Sequence, residues 1–132
     1  MASGASMSLR SPLGRVLGLG TAKDGTGHWW AQRVTAVALV PLTLWLFVSL
    51  LLLPVLDYVA VKNWLALPLS SFLAVLTVAV LTFHSYLGTN VVVEDYVHAP
   101  GLKIVSLLLL RFLYVLFGGA GIFAILRIAF GP

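Results

Sequence analysis

The chain has 132 residues, of which 61% are hydrophobic and only 9% charged, and its mean hydropathy is +1.07. That balance excludes an ordinary water-soluble domain: the length holds three or four membrane spans with short loops and no separate soluble domain. With no cysteine, the chain has no disulfides, zinc–thiolate sites or cysteine-ligated iron–sulfur clusters of its own, and its net charge of +4 is scattered and biased to one end, a membrane-topology pattern rather than a nucleic-acid-binding one.

The first 30 residues read as an N-terminal arm rich in Gly and Ser, with Arg10, Arg15 and Lys23. They contain no uninterrupted apolar core followed by a small-residue cleavage site, so the first helix is expected to be retained. From residue 31 onward the chain reads as an all-α, three-helix membrane unit. Between Arg33 and Asp57 lie 23 residues without a charge, more than the roughly 20 that cross a hydrocarbon core. This predicts a first span over 34–56, kinked or loosened at Pro41 and Pro54. Between Lys62 and Glu94 lie another 31 uncharged residues, predicting a second span over 65–93 with Pro68 in its first turn. The third span, 104–126, is interrupted only by Arg111.

The basic residues of the arm, together with Arg33, outnumber the single Lys62 of the next loop. The positive-inside rule therefore places the N-terminus in the cytoplasm, or in the matrix of an organelle. Three spans then return the loop from Glu94 to Lys103 to the same side and send the C-terminus outward. Trp29, Trp30 and Trp64 fall at expected span ends, where indoles favour the interface.

The stretch HSYLGTNVVVEDYVH, residues 84–98, concentrates the polar chemistry. His84 stands about ten residues, or ~15 Å, before the inner end of the second span, near mid-membrane. An ionisable residue at that depth points to function. It is either an imidazole ligating a metal or haem, or a neutral imidazole hydrogen-bonded to a neighbouring helix. Gly88, four residues on, and Thr77, one heptad before, leave the same helix face shallow enough for a flat macrocycle; glycine is equally common where helices touch. Asp95 follows His84 by 11 residues, almost three turns, so the two share a face about 16 Å apart. Glu94 and Asp95 suit a solvated helix end, although carboxylates there oppose the helix dipole. Tyr96 is either an interfacial anchor or a neutral hydrogen-bond donor.

These residues resemble the motif H-x(3)-G-x(6)-D-Y-V-H of the small hydrophobic membrane-anchor subunit, the D subunit, of succinate dehydrogenase (respiratory complex II). The upstream SPLGRVLGLGTAKDGTGHWWAQRVTA is similar to the bacterial form, HWWAQR entering the first span in particular. A Ser-x-x-His-Arg motif of the kind that precedes the first helix of the sister C subunit is absent. The resemblance covers nearly the whole chain. It implies that His84 is one axial ligand of haem b, with the second supplied by the C subunit, a cytochrome b556-type chain. It implies that Tyr96 hydrogen-bonds a ubiquinone carbonyl while Asp95 orders that site from behind. The pocket would be shared with the C subunit and the iron–sulfur subunit, with a flavoprotein subunit oxidising succinate. The expected role is anchoring, haem binding and completing the ubiquinone site. Electrons would pass from succinate into the respiratory chain and the tricarboxylic acid cycle would be served, in a bacterial inner membrane. The chain carries no flavin motif and no cluster ligands, so no catalysis is expected of it alone.

Outside this motif, Arg33 can pair with a haem propionate or a partner carboxylate, or serve as a positive anchor; His28 is similarly placed. Arg111, eight residues after Lys103, can snorkel to the inner interface, or turn inward to a propionate or Asp95. Gly118, Gly119 and Gly121 suit close helix contact, and His98 reads as a surface histidine. Two competing readings need no cofactor: a structural or assembly subunit in which His84 and Asp95 make helix–helix hydrogen bonds, and a transporter fragment relaying protons. The second fits poorly with a short chain that has no internal repeat.

Overall fold

Apolar stretches of this length satisfy their backbone in lipid only as helices, and three long helices are what the chain forms. The computed structural model describes residues 22–131, with side chains from residue 25 onward. Arg10, Arg15 and Lys23, and most of the arm that carries the positive bias, lie outside the described side chains. Helix α1 is Ala22–Leu51, α2 is the short Tyr58–Leu65, α3 is Pro68–Tyr96 and α4 is Pro100–Phe130. Three of them are long and apolar enough to cross a membrane: Gly25–Leu51, Pro68–Tyr96 and Pro100–Phe130.

The helices do not begin and end where the charges do. α1 starts 12 residues before the uncharged run, and α4 continues past Arg127. A charge marks where hydrocarbon gives way to headgroups and water, whereas backbone hydrogen bonding carries on beyond it. Pro41 lies inside α1, which runs through it, but Pro54 lies beyond the helix. The Leu53 amide bonds the Leu50 carbonyl at 3.3 Å, the tightened geometry of a last turn, just ahead of a proline that disfavours helix before it. The eight-residue α2 follows, started by Asp57, whose carboxylate accepts from the Ala60 amide at 2.8 Å. Trp64 of α2 stacks on Trp45 of α1, 5.5 Å between centroids. Trp29 and Trp30 are exposed near the other end of α1 and meet edge to face.

Pro68 and Pro100 open α3 and α4, where a missing N–H costs nothing. Only Val97, His98 and Ala99 separate the two, making an antiparallel hairpin. Lys103 reaches back across the turn and donates from Nζ to the Glu94 carbonyl at 3.0 Å. A cation thus sits on the last turn of α3, compensating the unfavourable placement of Glu94 and Asp95 at a negative dipole end.

α3 is the central helix and uses opposite faces for its two neighbours. Towards α1 it presents His84 and Gly88, which meet Thr35 and Gln32. Towards α4 it presents Val78 and Thr82, at the positions of Gly121 and Gly118. A Cβ added to Gly118 would stand 2.6 Å from a Thr82 methyl and 3.2 Å from Thr82 Cβ, a clash no rotation of that short side chain relieves. Gly121 is similarly close to Val78, but Gly119 faces open space. Small residues thus let backbones approach, as membrane helices require in the absence of a hydrophobic drive between them. Buried Thr77 and Ser71 return their hydroxyl protons to carbonyls of their own helix, Leu73 and Pro68.

Among the described residues the buried apolar side chains are Leu39, Leu42, Ala74 and Leu87 alone, while Val37, Leu44, Phe47, Phe112, Phe117 and Phe123 stand exposed. Exposure of large apolar groups around whole helices needs lipid or other membrane chains to cover it.

Candidate functional site

His84 sits 12 residues before the end of α3, about 18 Å along the axis, and is half-buried. Its Nδ1 lies 2.8 Å from Oγ1 of Thr35 on α1. That oxygen is also 2.7 Å from the Ala31 carbonyl and 3.1 Å from the Gln32 carbonyl, neither of which can donate. The helix–helix hydrogen bond considered from sequence as an alternative to ligation therefore exists, but it engages one ring nitrogen and leaves the other, Nε2, for a ligand. Among the described residues no three His, Cys, Asp or Glu side chains gather as a metal cage. A haem iron would ask less of this chain, a single imidazole nitrogen. The donor chemistry here fits that demand.

Beside His84, Gly88 faces the Gln32 side chain of α1. The Gln32 amide nitrogen of α1 lies 3.6 Å from where its Cβ would be, and the Gln32 Oε1 is buried with no hydrogen-bond partner. A buried acceptor without a donor in a lone chain suits a site completed by other groups. Arg33, on the exposed side of α1, holds its guanidinium over the Trp29 ring, 5.4 Å from the centroid, and His28 is half-buried one turn before Gln32.

At the end of α3, Glu94, Asp95 and Tyr96 are all exposed, Tyr96 at 78%. The structure does not bring Asp95 and Tyr96 into a cavity of this chain. His98 is also exposed, and its Nδ1–H donates to the Tyr96 carbonyl at 3.1 Å, a local contact that fixes the turn. The Tyr96 phenol stands clear of that contact.

A second polar group, between α3 and α4, was only partly foreseen. Arg111 is exposed and donates from Nε to the Tyr86 hydroxyl at 3.2 Å rather than to Asp95. Thr89 shares a 2.8 Å hydrogen bond with the Tyr114 hydroxyl, and the Tyr86 and Tyr114 rings meet edge to face. Tyr86 and Arg111 line two grooves of about 440 and 350 Å³, the larger apolar and including Tyr114, Gly118 and Gly119, the smaller reaching Glu94 and Asn90. Spacing could have revealed them, since Tyr86, Thr89 and Asn90 share one face of α3 and Arg111 and Tyr114 one face of α4.

A family model described as succinate dehydrogenase/fumarate reductase transmembrane subunit matches residues 7–118. The succinate dehydrogenase hydrophobic membrane anchor subunit of Rickettsia bellii (strain RML369-C) is 32% identical over 94 residues, covering 71% of this chain and 75% of the relative. The succinate dehydrogenase membrane anchor subunit of Reclinomonas americana is 32% identical over 97 residues, with 67% and 77% covered. The hydrophobic membrane anchor subunit of Paracoccus denitrificans is 33% identical over 79 residues, with 60% and 61% covered. No solved structure matches the chain. The match to the family model spans most of the sequence, the relatives are membrane anchors, and the three apolar helices are what such an anchor needs: the chain belongs to the succinate dehydrogenase/fumarate reductase transmembrane subunit family, as a multi-pass membrane anchor subunit of that enzyme complex.

Proposed function

We propose that this anchor binds haem b through His84 and completes a ubiquinone-reducing site with Tyr96 and Asp95, within a complex that also contains a C-type membrane subunit, an iron–sulfur subunit and a flavoprotein. The observation that carries the reading is the division of labour on the His84 ring: Nδ1 is held by Thr35, so Nε2 is the nitrogen for iron. Bound there, haem supplies a one-electron store of adjustable potential. This chain's part is to present the imidazole within the apolar span, held against Thr35, with Arg33 and His28 as cationic and hydrogen-bonding groups nearer the inner surface for propionates. Exposure of Asp95 and Tyr96 at the helix end suits a pocket closed by partner chains, where a lipid-borne quinone and a soluble electron donor can both arrive.

A cofactor-free structural or assembly subunit is the second reading, favoured by the same Thr35–His84 contact taken as nothing more than a helix–helix bond. The test is purification of the complex through a tag on this chain. Reduced-minus-oxidised difference spectra should show a b-type band in a preparation that reduces ubiquinone with succinate. A complete, active complex without that band would establish the cofactor-free reading.

The proposed orientation puts the N-terminus and the Glu94–Lys103 loop on the inner face of a bacterial cytoplasmic membrane, because basic residues gather there. Reporter fusions in that loop should be active only as cytoplasmic markers. Activity of a periplasmic reporter at the same point would overturn both the topology and the placement of the quinone site.

A further inference from the structure

The contact between Thr35 and His84 does more than join two helices. A threonine hydroxyl has one proton and can give it to only one acceptor. If the proton goes to the Ala31 carbonyl, 2.7 Å away, Oγ1 must accept from Nδ1–H of His84, and Nε2 keeps its lone pair. If the proton goes to Nδ1 instead, Nε2 of the neutral ring carries hydrogen and cannot ligate. Only the first arrangement leaves a nitrogen able to bind iron.

The surroundings hold that arrangement in place. Thr35 is β-branched, back-bonded to its own helix, and shares a face of α1 with Leu39 and Leu42, both buried. One turn along α3 from His84, Gly88 lets the Gln32 amide lie 3.6 Å from its missing Cβ. A residue larger than alanine at Gly88 would have to displace that amide, the far end of the Gln32 side chain. The packed face of α1 and the back-bond of Thr35 to its own helix therefore hold the hydroxyl against the imidazole, beside the bare position Gly88 on α3.

We propose that Thr35 is the positioning residue of His84: it selects the tautomer with the proton on Nδ1, fixes the ring about its own axis, and makes Nε2 a stronger donor by accepting from Nδ1–H. The proposal rests on the reading of His84 as a haem ligand. A hydrogen bond of this kind to the remote ring nitrogen orients the ligand and raises its basicity, and its loss weakens metal binding by about 10–100-fold. A more basic ligand favours ferric over ferrous iron, so removing the hydroxyl raises the potential.

The test compares Thr35→Val, which keeps the shape and removes the hydroxyl, with Thr35→Ser, which keeps the hydroxyl, in the intact complex. Haem content, redox titration of the b-type band and the low-spin ferric electron paramagnetic resonance signal are read. Thr35→Val should raise the ferrous-to-ferric ratio at a fixed ambient potential by about tenfold, equivalent to ~59 mV for a one-electron couple. It should also alter the ferric signal, while Thr35→Ser stays at wild type. If the valine variant does not assemble, Thr35→Ala, which only removes atoms, is read in the same way. A valine or alanine variant with wild-type potential and signal overturns the proposal, as does a serine variant shifted as far as the valine one. His84→Leu separates this from the underlying reading. Loss or alteration of the band in His84→Leu beside an unchanged Thr35→Val rejects the role of Thr35 alone, whereas a band unchanged in position and potential in His84→Leu rejects the haem assignment itself.

Discussion

Replacing His84 by leucine should remove the b-type band from the assembled complex, or leave one with altered position and potential. Leucine is apolar and of similar size, so at this depth it takes a polar group out of hydrocarbon without opening a large cavity. On the α1 side, the Thr35 proton remains satisfied by the Ala31 carbonyl, and only the bond to Nδ1 is lost. Such a bond is worth about 0.5–1.5 kcal/mol net, too little to unfold three packed helices. Loss of the band in a complex that still assembles would therefore report lost ligation rather than lost structure. Quinone reduction need not fall to zero, because the shortest route from an iron–sulfur partner to the quinone can bypass haem. An unchanged spectrum and potential would reject His84 as the ligand.

The parts of the molecule that were legible in the sequence are those set by composition and spacing along one helix. Three spans follow from two uncharged runs and a third apolar run broken only by Arg111, and the shared face of His84 and Gly88 follows from helical periodicity. What meets that face does not follow. Nothing local says that Thr35, 49 residues earlier, lies against the imidazole, because the pairing depends on which helix α3 packs against and in what register. Gly88 shows the same limit: periodicity gives its face, but not that the Gln32 side chain of α1 lies beside it. Boundaries were displaced for a different reason. Counting charges finds the uncharged runs, while the backbone hydrogen bonding of α1 and α4 continues through Arg33 and Arg127. Arg111 reads as snorkelling to the interface or turning inward to a propionate or Asp95, and the structure adds a hydrogen-bond partner, Tyr86, an ordinary-looking aromatic in an apolar run. Asp95 and Tyr96 stand at the surface of this chain, so the pocket expected around them has to be made by chains whose sequences are not present in this one.

The sharpest expectation concerns Tyr96, the last residue of α3. Its side chain is 78% exposed, and the nearby His98 contact uses its backbone carbonyl, so the phenol is free to meet a partner or a quinone. A neutral phenol can donate to a quinone carbonyl and stabilise the negative charge that grows on that oxygen as electrons arrive. The neighbouring carboxylate of Asp95 is suited to a different task. As an anion aimed straight at the reduced quinone it would repel it, so its place is to hold the surroundings of the phenol or an arginine of a partner chain. Removing the hydroxyl in Tyr96→Phe preserves the ring and its packing while leaving the quinone oxygen without its donor. The cost should be about 1–3 kcal/mol, or roughly one to two orders of magnitude in quinone-dependent turnover or apparent quinone affinity. Succinate oxidation with an artificial acceptor that takes electrons upstream should change little, because the flavoprotein and its clusters are untouched. The b-type spectrum should also stay close to wild type, since Tyr96 lies about 18 Å along the helix from His84. Wild-type rate and affinity for quinone in Tyr96→Phe would show that the hydrogen bond is made by another group.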